Sequence, residues 1–405
     1  MCYGRPMKMI AACSGGPDSM ALLDQLVQKK YDVVAAHVNY HQRASAKRDE
    51  NIVREYCAAH DIPCVVLDAY YPGSGNFQAW ARDVRYAFFV DTAEKYGAED
   101  VYVAHHLDDS LETYLFQKKR GMLCERFGLG EQMNYKGICI RRPLLAYEKK
   151  ELEQYCIDHG IPYGIDESNL TDHYARNELR HRLIDPMTRA QKKALQQQIE
   201  EENRLLEEKR SEGMRRIETE GMAALLEDEE AVFYLDLFLS RKMKRHLSKD
   251  HLKSLVVQLG RNCVVDLQDH EVERHDDLVL IEQKTQYPTY LIENEEQLKN
   301  FQSFELGKFA YWLNNRGKVI EGVTLTEADF PITLRPACGQ DKIRLRFGTK
   351  SMHRFWIDSK IPRLCRRQWY VMENAHKTVI FVPGIGCDVS HFSTQPTCFM
   401  LQSSI

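Results

Sequence analysis

The six residues Ser14–Ser19, with the sequence SGGPDS, combine two hydroxyls, two glycines and one carboxylate. An apolar run precedes them and a helical pattern follows, which predicts a turn from a strand into a helix. Glycines in such a turn expose backbone N–H groups, and the start of the helix adds partial positive charge. These features favour phosphate binding over the alternative, a simple helix cap by Ser14 or Asp18.

A second set of polar residues occurs in the sequence VAHHLDDSLETYL. Asp108 and Glu112 are four residues apart, and Asp109 and Glu112 are three apart, so the carboxylates share one face of a helix. Acidic residues also favour the start of any helix, but that does not explain the preceding pair, His105 and His106. Clustered carboxylates are suited to bind a cationic amine or Mg²⁺.

The elements that position these residues follow from hydrophobic periodicity. Strands are predicted at residues 7–13, 33–39, 64–68 and 100–104, and helices at 18–30, 46–60, 76–96, 109–119 and 148–159. Alternation of strands and helices at this spacing predicts an α/β fold with a doubly wound parallel sheet. Such sheets bind ligands at the carboxyl ends of their strands, so both motifs are expected at one rim.

The length of 405 residues indicates more than one domain. We predict a catalytic domain over residues 1–187, a helical linker and middle domain over 188–286, and a small mixed or mainly β C-terminal domain over 287–405. A long polar helix is expected to begin near residue 188. Residues 121–137 match no pattern that we can assign.

Charge is distributed unevenly along the chain. The formal net charge is −4, but the segment Lys342–Arg367 contains nine Lys and Arg residues and one acidic residue, Asp358, which leaves a local charge of +8. A basic segment of this kind is suited to contact nucleic-acid phosphates, and a solvated basic surface is the alternative. The aromatic residues in and beside this segment are expected in a hydrophobic core: Phe347, Phe355, Trp356 and Trp369.

Several classes of protein lack support in the sequence. The loop matches neither G-x-x-x-x-G-K-[ST] nor G-x-G-x-x-G, and the twelve cysteines include no C-x-x-C pair. No stretch is long and apolar enough to span a membrane, and the first residues lack the apolar core of a signal peptide. We therefore expect a cytoplasmic protein with reduced, mostly buried cysteines.

The chain resembles a known family. The stretch Ser14–Ser19 resembles the PP-loop of the N-type ATP pyrophosphatases, and HHLDDSLET resembles the H-H-x-D-D-x-x-E-T signature of the tRNA(Ile)-lysidine synthetase family. Further matches occur in order along nearly the whole chain: His37–Asn39 with Arg43, Asn76–Tyr86, Arg142–Leu145, Asp166–Asn169, Arg176–His181, Phe355–Arg363 and Val382–Gly384.

The resemblance implies a two-step reaction that uses ATP and Mg²⁺. The O2 atom of the wobble cytidine in the CAU anticodon of tRNA(Ile) attacks the α-phosphate of ATP, and L-lysine then displaces AMP from C2. Asp18 is the implied metal ligand. The implied ATP-binding residues are Ser14, Gly15, Gly16, Pro17, Asp18, Ser19 and His37. The implied lysine-binding residues are His106, Asp108, Asp109 and Glu112, and the catalytic set is Asp18 with the same three carboxylates.

Basic residues are assigned to tRNA on the same grounds. Arg82 and Arg85, and likewise Arg176 and Arg180, share a helix face. They are suited to contact tRNA phosphate or the α-phosphate of ATP, and surface ion pairs are the alternative for each. The complete set is Arg43, Arg82, Arg85, Arg176, Arg180, Arg344, Arg354, Lys360 and Arg363. A homodimer and the identity of the general base are left open. The competing functions are another PP-loop enzyme such as a tRNA thiolase, a GMP or NAD synthetase, and a catalytically silent tRNA-binding protein.

Overall fold

The structure, a computed structural model, describes residues 8–42, 45–164, 179–300, 303–306, 309–312, 321–394 and 396–402. The chain divides into two compact units, Met1–Lys209 and Arg210–Ile405. No helix among the described residues is long and apolar enough to cross a membrane.

The first unit is built on a six-stranded sheet. Its strands are β1 (Lys8–Ala12), β2 (Asp32–Asn39), β3 (Cys64–Asp68), β4 (Asp100–Tyr102), β5 (Gln132–Tyr135) and β6 (Ile138–Arg141), in the order β3-β2-β1-β4-β6-β5. All neighbouring pairs are parallel except β5 with β6. The helices are α1 (Pro17–Gln28), α2 (Ala46–Ala59), α3 (Phe77–Tyr96), α4 (Leu107–Arg120) and α5 (Lys149–Asp158). A π-helical turn follows at Arg180–Ile184.

Two hydrophobic cores lie on opposite faces of this sheet because side chains alternate along each strand. Ala11 and Ala35 pack in the core that includes α1, α2 and α5. Their neighbours Ile10 and Val34 pack in the other core, against Phe89 and the rest of α3. The predicted doubly wound α/β fold is therefore confirmed, and the nine predicted strands and helices all form.

The β5–β6 hairpin was not predicted, and it accounts for part of the unassigned region. Both strands have only four residues, and β5 is an edge strand that is exposed at alternate positions. Lys136 and Gly137 form the two-residue turn with φ angles of 50° and 87°. A turn with two positive φ angles is the type that joins tight hairpins, but it usually begins with Asn or Asp. Lys136 therefore gave only a weak turn signal.

The second unit begins within a long helix. Helix α6 covers Arg189–Glu220, and it starts close to the predicted position. The short helix α7 (Met222–Leu225), α8 (Ala231–Met243) and α9 (Lys249–Gln258) follow. They precede an antiparallel sheet of β7 (Cys263–Asp266), β8 (His270–His275) and β9 (Leu278–Gln283).

The remainder is mainly β, as predicted. The strands are β10 (Tyr290–Ile292), β11 (Ser303–Leu306), β12 (Phe309–Trp312), β13 (Glu321–Val323), β14 (Ile332–Pro336), β15 (Lys342–Leu345), β16 (Gly348–Ser351), β17 (Tyr370–Glu373), β18 (Val379–Val382), β19 (Gly386–Cys387) and β20 (Cys398–Gln402). One sheet has the order β10-β14-β17-β18-β19, a second has the order β11-β12-β20-β13, and β15 pairs with β16. The helices are α10 (Glu295–Asn300), α11 (Met352–Asp358) and α12 (Arg363–Arg366).

Two carboxylates of β8 hold helix α12 within this unit. The buried Glu273 side chain accepts hydrogen bonds from the backbone N–H groups of Arg363 and Leu364, both at 2.8 Å. Glu271 forms an ion pair with Arg367. These bonds join parts of the chain that we assigned to a middle and a C-terminal domain. The three-domain division with boundaries at 187 and 286 stays a prediction.

The aromatic residues of the basic segment separate into two groups. Phe355, Trp356 and Trp369 belong to the hydrophobic core of the second unit, as predicted. The prediction is wrong for Phe347, which is 94% exposed because it lies in the turn between β15 and β16.

Candidate active site

The loop Ser14–Ser19 connects β1 to α1 at the carboxyl end of the sheet. Helix α1 begins at Pro17, so Gly16 is the N-cap residue and no side chain caps the helix. The Ser19 hydroxyl donates to the Gly16 carbonyl oxygen at 3.0 Å and accepts from the Ser14 N–H at 3.1 Å. The serines therefore fix the loop, while first-turn N–H groups, such as that of Asp18, lack an acceptor within the helix. This arrangement fits an anion site better than the capped-helix alternative.

Gly15 is required by the shape of the loop. Its φ angle is +88°, and a Cβ atom at this position would lie 2.7 Å from the carbonyl oxygen of Asp49. Its own carbonyl oxygen accepts a hydrogen bond from the Gly164 N–H at 2.8 Å. Any side chain here would have to move the backbone of α2 away from the loop.

Two cavities open beside the loop. The first has a volume of about 220 Å³, and its polar lining includes Ser14, Asp18, Ser19, Arg85 and His105. The second has a volume of about 490 Å³ and shares Ser14 with the first. Tyr40 also lines both cavities, and the second is further lined by His37, Asp49, Tyr71 and Phe77. The loop thus borders both cavities, and aromatic side chains contribute to the lining of each.

His37 lies at the boundary between loop and second cavity. Its Nδ1 atom is 2.9 Å from the carbonyl oxygen of Cys13. A carbonyl oxygen only accepts, so Nδ1 carries the hydrogen and Nε2 is an acceptor in the neutral ring. Burial lowers the pKa of His37, which favours that neutral form. The predicted role in ATP binding fits this position.

His106 joins the two predicted motifs. Its Nε2 atom lies 3.6 Å from Asp18 Oδ2 and 3.5 Å from Asp109 Oδ2, and the ring is buried. The backbone N–H of His106 donates to Asp109 Oδ2 at 3.0 Å. The loop and the carboxylates of α4 therefore meet at one histidine, as expected for two motifs at one rim.

Asp18, the predicted metal ligand, is a partly buried carboxylate. Burial raises its pKa, an effect that His106 opposes and Asp109 reinforces. Its buried Oδ1 atom has no hydrogen-bond partner among the described residues. No group of three or more His, Cys, Asp or Glu side chains in the described ranges could hold a metal ion. Mg²⁺ fits such a site because it is often bound by one carboxylate together with phosphate oxygens and water.

Arg180, which we predicted to contact tRNA, lies against the carboxylates of α4. Its Nη2 atom lies 2.8 Å from Asp109 Oδ1, and its Nε atom lies 3.9 Å from Glu112 Oε2. Burial alone opposes the charged form of Asp109, but His106 and Arg180 hold the pKa of Asp109 below its ordinary value. Arg180 thus organises the acidic cluster.

A lysine of the chain contacts the carboxylate of Asp108, which we predicted to bind the substrate amine. Lys192, on α6, is only 4% exposed, and its Nζ atom lies 2.5 Å from Asp108 Oδ1 and 3.3 Å from Glu148 Oε2. Burial alone would lower the pKa of Lys192, but Asp108 and Glu148 raise it. This ion-pair cluster anchors α6 to the first unit.

We expect replacement of Lys192 by Met to destabilise the first unit strongly. The substitution leaves Asp108 as a buried carboxylate without its cation, which costs about 3–5 kcal/mol in comparable pairs. Urea denaturation would measure the loss in the free energy of unfolding. The double variant with Asp108→Asn should recover much of it, whereas equal losses in both variants would contradict this role.

One arginine of α3 faces the first cavity. Arg85 lines it, and the Arg82 guanidinium lies 4.8 Å from the ring centroid of Tyr86. Arg142 donates from Nε to His105 Nδ1 at 3.2 Å. Burial, with Arg142, Arg85 and Arg82, lowers the pKa of His105 to about 4 although Asp109 opposes the shift. His105, which lines the cavity, is therefore neutral and lies near three guanidinium groups. Sequence reasoning assigned no role to Arg142, although R-P-L-L marked its position.

The remaining predicted tRNA-binding residues lie elsewhere. Arg43 and Arg176 fall outside the described residues. The other four are exposed in the second unit, where Arg344 contacts Asp388 and Arg354 contacts Asp358, both at 3.2 Å. Lys360 and Arg363 complete this group. Their RNA contacts stay predictions.

Comparison with known proteins shows high similarity over the N-terminal part of the chain and lower similarity over most of its length. Residues 4–187 match the family model described as a PP-loop domain. A tRNA(Ile)-lysidine synthase from Ureaplasma parvum is 41% identical over 43% of this chain and 53% of its own length. The corresponding protein from Mycoplasmopsis pulmonis is 40% identical over 44% of this chain and 62% of its own length. The chain thus spans less than two thirds of these curated relatives.

Longer alignments extend through the second unit. The tRNA(Ile)-lysidine synthase from Geobacillus kaustophilus is 26% identical over 93% of this chain and 90% of its own length. Among solved structures, a U34-tRNA thiolase from Methanococcus maripaludis aligns with a TM-score of 0.43 and 15% identity, over 50% of this chain and 74% of that chain. Residues 4–187 therefore match a PP-loop domain, and the chain is similar to tRNA(Ile)-lysidine synthases along most of its length.

Proposed function

We propose that the chain is a cytoplasmic tRNA(Ile)-lysidine synthase, which joins L-lysine to C2 of the wobble cytidine in the CAU anticodon of tRNA(Ile). The observation that carries this proposal is the position of His106 between Asp18 of the loop and Asp109 of α4. A site for ATP activation and a site for an amine are then close enough to act on one base.

The first step forms a bond between cytidine O2 and the α-phosphorus of ATP and breaks the bond to the β-phosphate, so that pyrophosphate leaves. Backbone N–H groups of Ser14–Ser19 hold that pyrophosphate. Arg85, in the same cavity, faces the charge that develops at the α-phosphate. When bound by Asp18, Mg²⁺ would offset the negative charge of the phosphates.

The second step forms a bond between the lysine side-chain nitrogen and C2 and breaks the C2–O2 bond, so that AMP leaves with O2. The nitrogen must first lose a proton, because free lysine has a pKa near ~10.4. Asp109 is a weak base, since His106 and Arg180 lower its pKa. Glu112 shares the same face of α4 and has a longer contact with Arg180, at 3.9 Å. We therefore assign ammonium binding to both and proton removal to Glu112.

We expect Glu112→Gln to raise the KM for lysine by at least about tenfold, because a charge-assisted contact to the ammonium is worth roughly 1.5–3 kcal/mol. The Kd for tRNA should change little. Asp108→Asn is the matched control on the same helix, and it should lower stability through Lys192 without selectively affecting lysine. Equal effects of Glu112→Gln on lysine and tRNA would count against an amine site.

The decisive test is incubation with ATP, labelled lysine and bulk tRNA, followed by nucleoside analysis. Lysidine should appear, with AMP released in equal amount. A tRNA thiolase remains the second candidate within the same fold. It would incorporate sulfur from a donor and leave lysine untouched, and that result would overturn the proposal.

A further inference from the structure

The hairpin formed by β15 and β16 carries an unusual turn. Leu345 pairs with Gly348, so the turn consists of two residues, Arg346 and Phe347. Two-residue turns favour Gly, Asn or Asp at these positions because of their backbone angles. Here the positive φ angle, 130°, falls on the following Gly348. The geometry of the turn therefore does not explain why Arg and Phe occupy these two positions.

Phe347 is more exposed than any other large apolar side chain among the described residues, at 94%. Exposure of a whole ring to water is unfavourable, because burial of a Phe side chain contributes about 1.5–3 kcal/mol. Its near contact is Arg346, with a guanidinium 5.6 Å from the ring centroid. The pair presents one planar apolar face and one planar cation at the tip of the hairpin.

The surroundings of the tip are basic. Lys342 and Arg344 project from the exposed face of β15. In the part of the chain that the structure describes, no carboxylate lies within ion-pair distance of Lys342 or Arg346. Arg344 contacts Asp388, close in sequence to a second exposed ring, Phe392. A protein partner with an apolar surface would not need these cations, whereas a polynucleotide offers phosphates and flat bases together.

We propose that the Arg346–Phe347 turn is a stacking finger that binds an unpaired or helix-terminal base of RNA, with the neighbouring cations on the flanking phosphates. The inference rests on the proposed function only in that the RNA is then the tRNA substrate. Base stacking on an aromatic ring tolerates any base and is worth roughly 1–3 kcal/mol. The finger therefore adds affinity that does not depend on released counterions.

This independence from salt gives a sharp test with the full chain. The Kd for an unmodified tRNA(Ile) transcript with a CAU anticodon would be measured by fluorescence anisotropy over a salt series. We expect Phe347→Ala to raise the Kd about fivefold or more at every salt concentration, with an unchanged salt slope. Phe347→Trp keeps a large aromatic ring and should bind the transcript with the Kd of the original chain. Arg346→Gln should instead reduce the slope by roughly 0.7–0.9, the value for one phosphate contact.

Val257→Ala is the matched control, since Val257 is an exposed apolar residue of α9 in the same unit. It should leave both Kd and slope unchanged. Wild-type affinity in Phe347→Ala would overturn the stacking finger, and so would a change in self-association of that variant at unchanged RNA affinity. Lysidine formation by the wild-type chain is measured separately, so the finger can fail while the proposed function holds.

Discussion

Replacement of Asp18 by Asn is expected to lower the rate of adenylation by roughly 10²–10³-fold or more, the scale for losing one charge-stabilising group in an active site. Asn keeps the size of the side chain but provides a neutral oxygen where Mg²⁺ would bind. The variant should be as stable as the original chain or more stable. Burial raises the pKa of Asp18, so at neutral pH its ionised form opposes folding, and this cost disappears in the variant. AMP and pyrophosphate release would be measured with tRNA, and thermal unfolding in parallel.

Asp24 provides the control, because it is a buried carboxylate on the same helix whose pKa is lowered, whereas that of Asp18 is raised. Burial opposes its ionisation, but hydrogen bonds from Tyr155 and Tyr56, each 2.6 Å long, lower its pKa. Its stabilising contribution is present above the ordinary pKa and is lost as pH falls through the folded-state value. Asp24→Asn should therefore unfold more easily at neutral pH while retaining adenylation. Rapid pyrophosphate release by Asp18→Asn would disprove its assigned role.

Removal of the second unit is expected to raise the Kd for tRNA by at least about 100-fold at low salt and to flatten its salt dependence. Each lost phosphate contact should reduce the slope of log K against log salt by roughly 0.7–0.9. The chain should end at Lys209, because a cut near residue 287 would leave Glu271 and Glu273 of β8 without helix α12. ATP binding should survive, since the loop and both cavities lie in the first unit.

A charge-neutralised full chain separates the effect of charge from that of truncation. Lys342 and Arg346 changed to Gln should reduce the salt slope, whereas the same change at the exposed Lys242 and Lys249 should not. Anisotropy at several salt concentrations would measure both. An unchanged affinity and slope in the truncated chain would mean that the basic segment is only a solvated surface.

The sequence alone determined the elements and the place of the site. The turn at Ser14–Ser19 and the helices around it depend on residues that are close in sequence, so periodicity and glycine positions were enough to predict them. Parallel strands end at one rim, and this placed the loop beside the carboxylates before any contact was known. The β5–β6 hairpin was not predicted because its strands are short, half exposed and joined by a turn that starts with Lys136.

Only the tertiary structure decided which carboxylate serves which partner. Asp108 and Asp109 are adjacent in sequence, but successive residues of an α-helix point about 100° apart, so they face different neighbours. Asp109 meets Arg180, 71 residues away, and Asp108 meets Lys192 on a helix that begins much later. The position of Phe347 could not be predicted from sequence either. Its apolar side chain predicts burial, but the β15–β16 hairpin places it in an exposed turn. Local patterns determine elements and faces, whereas the partner of each charged or aromatic side chain depends on packing between segments that are distant in sequence.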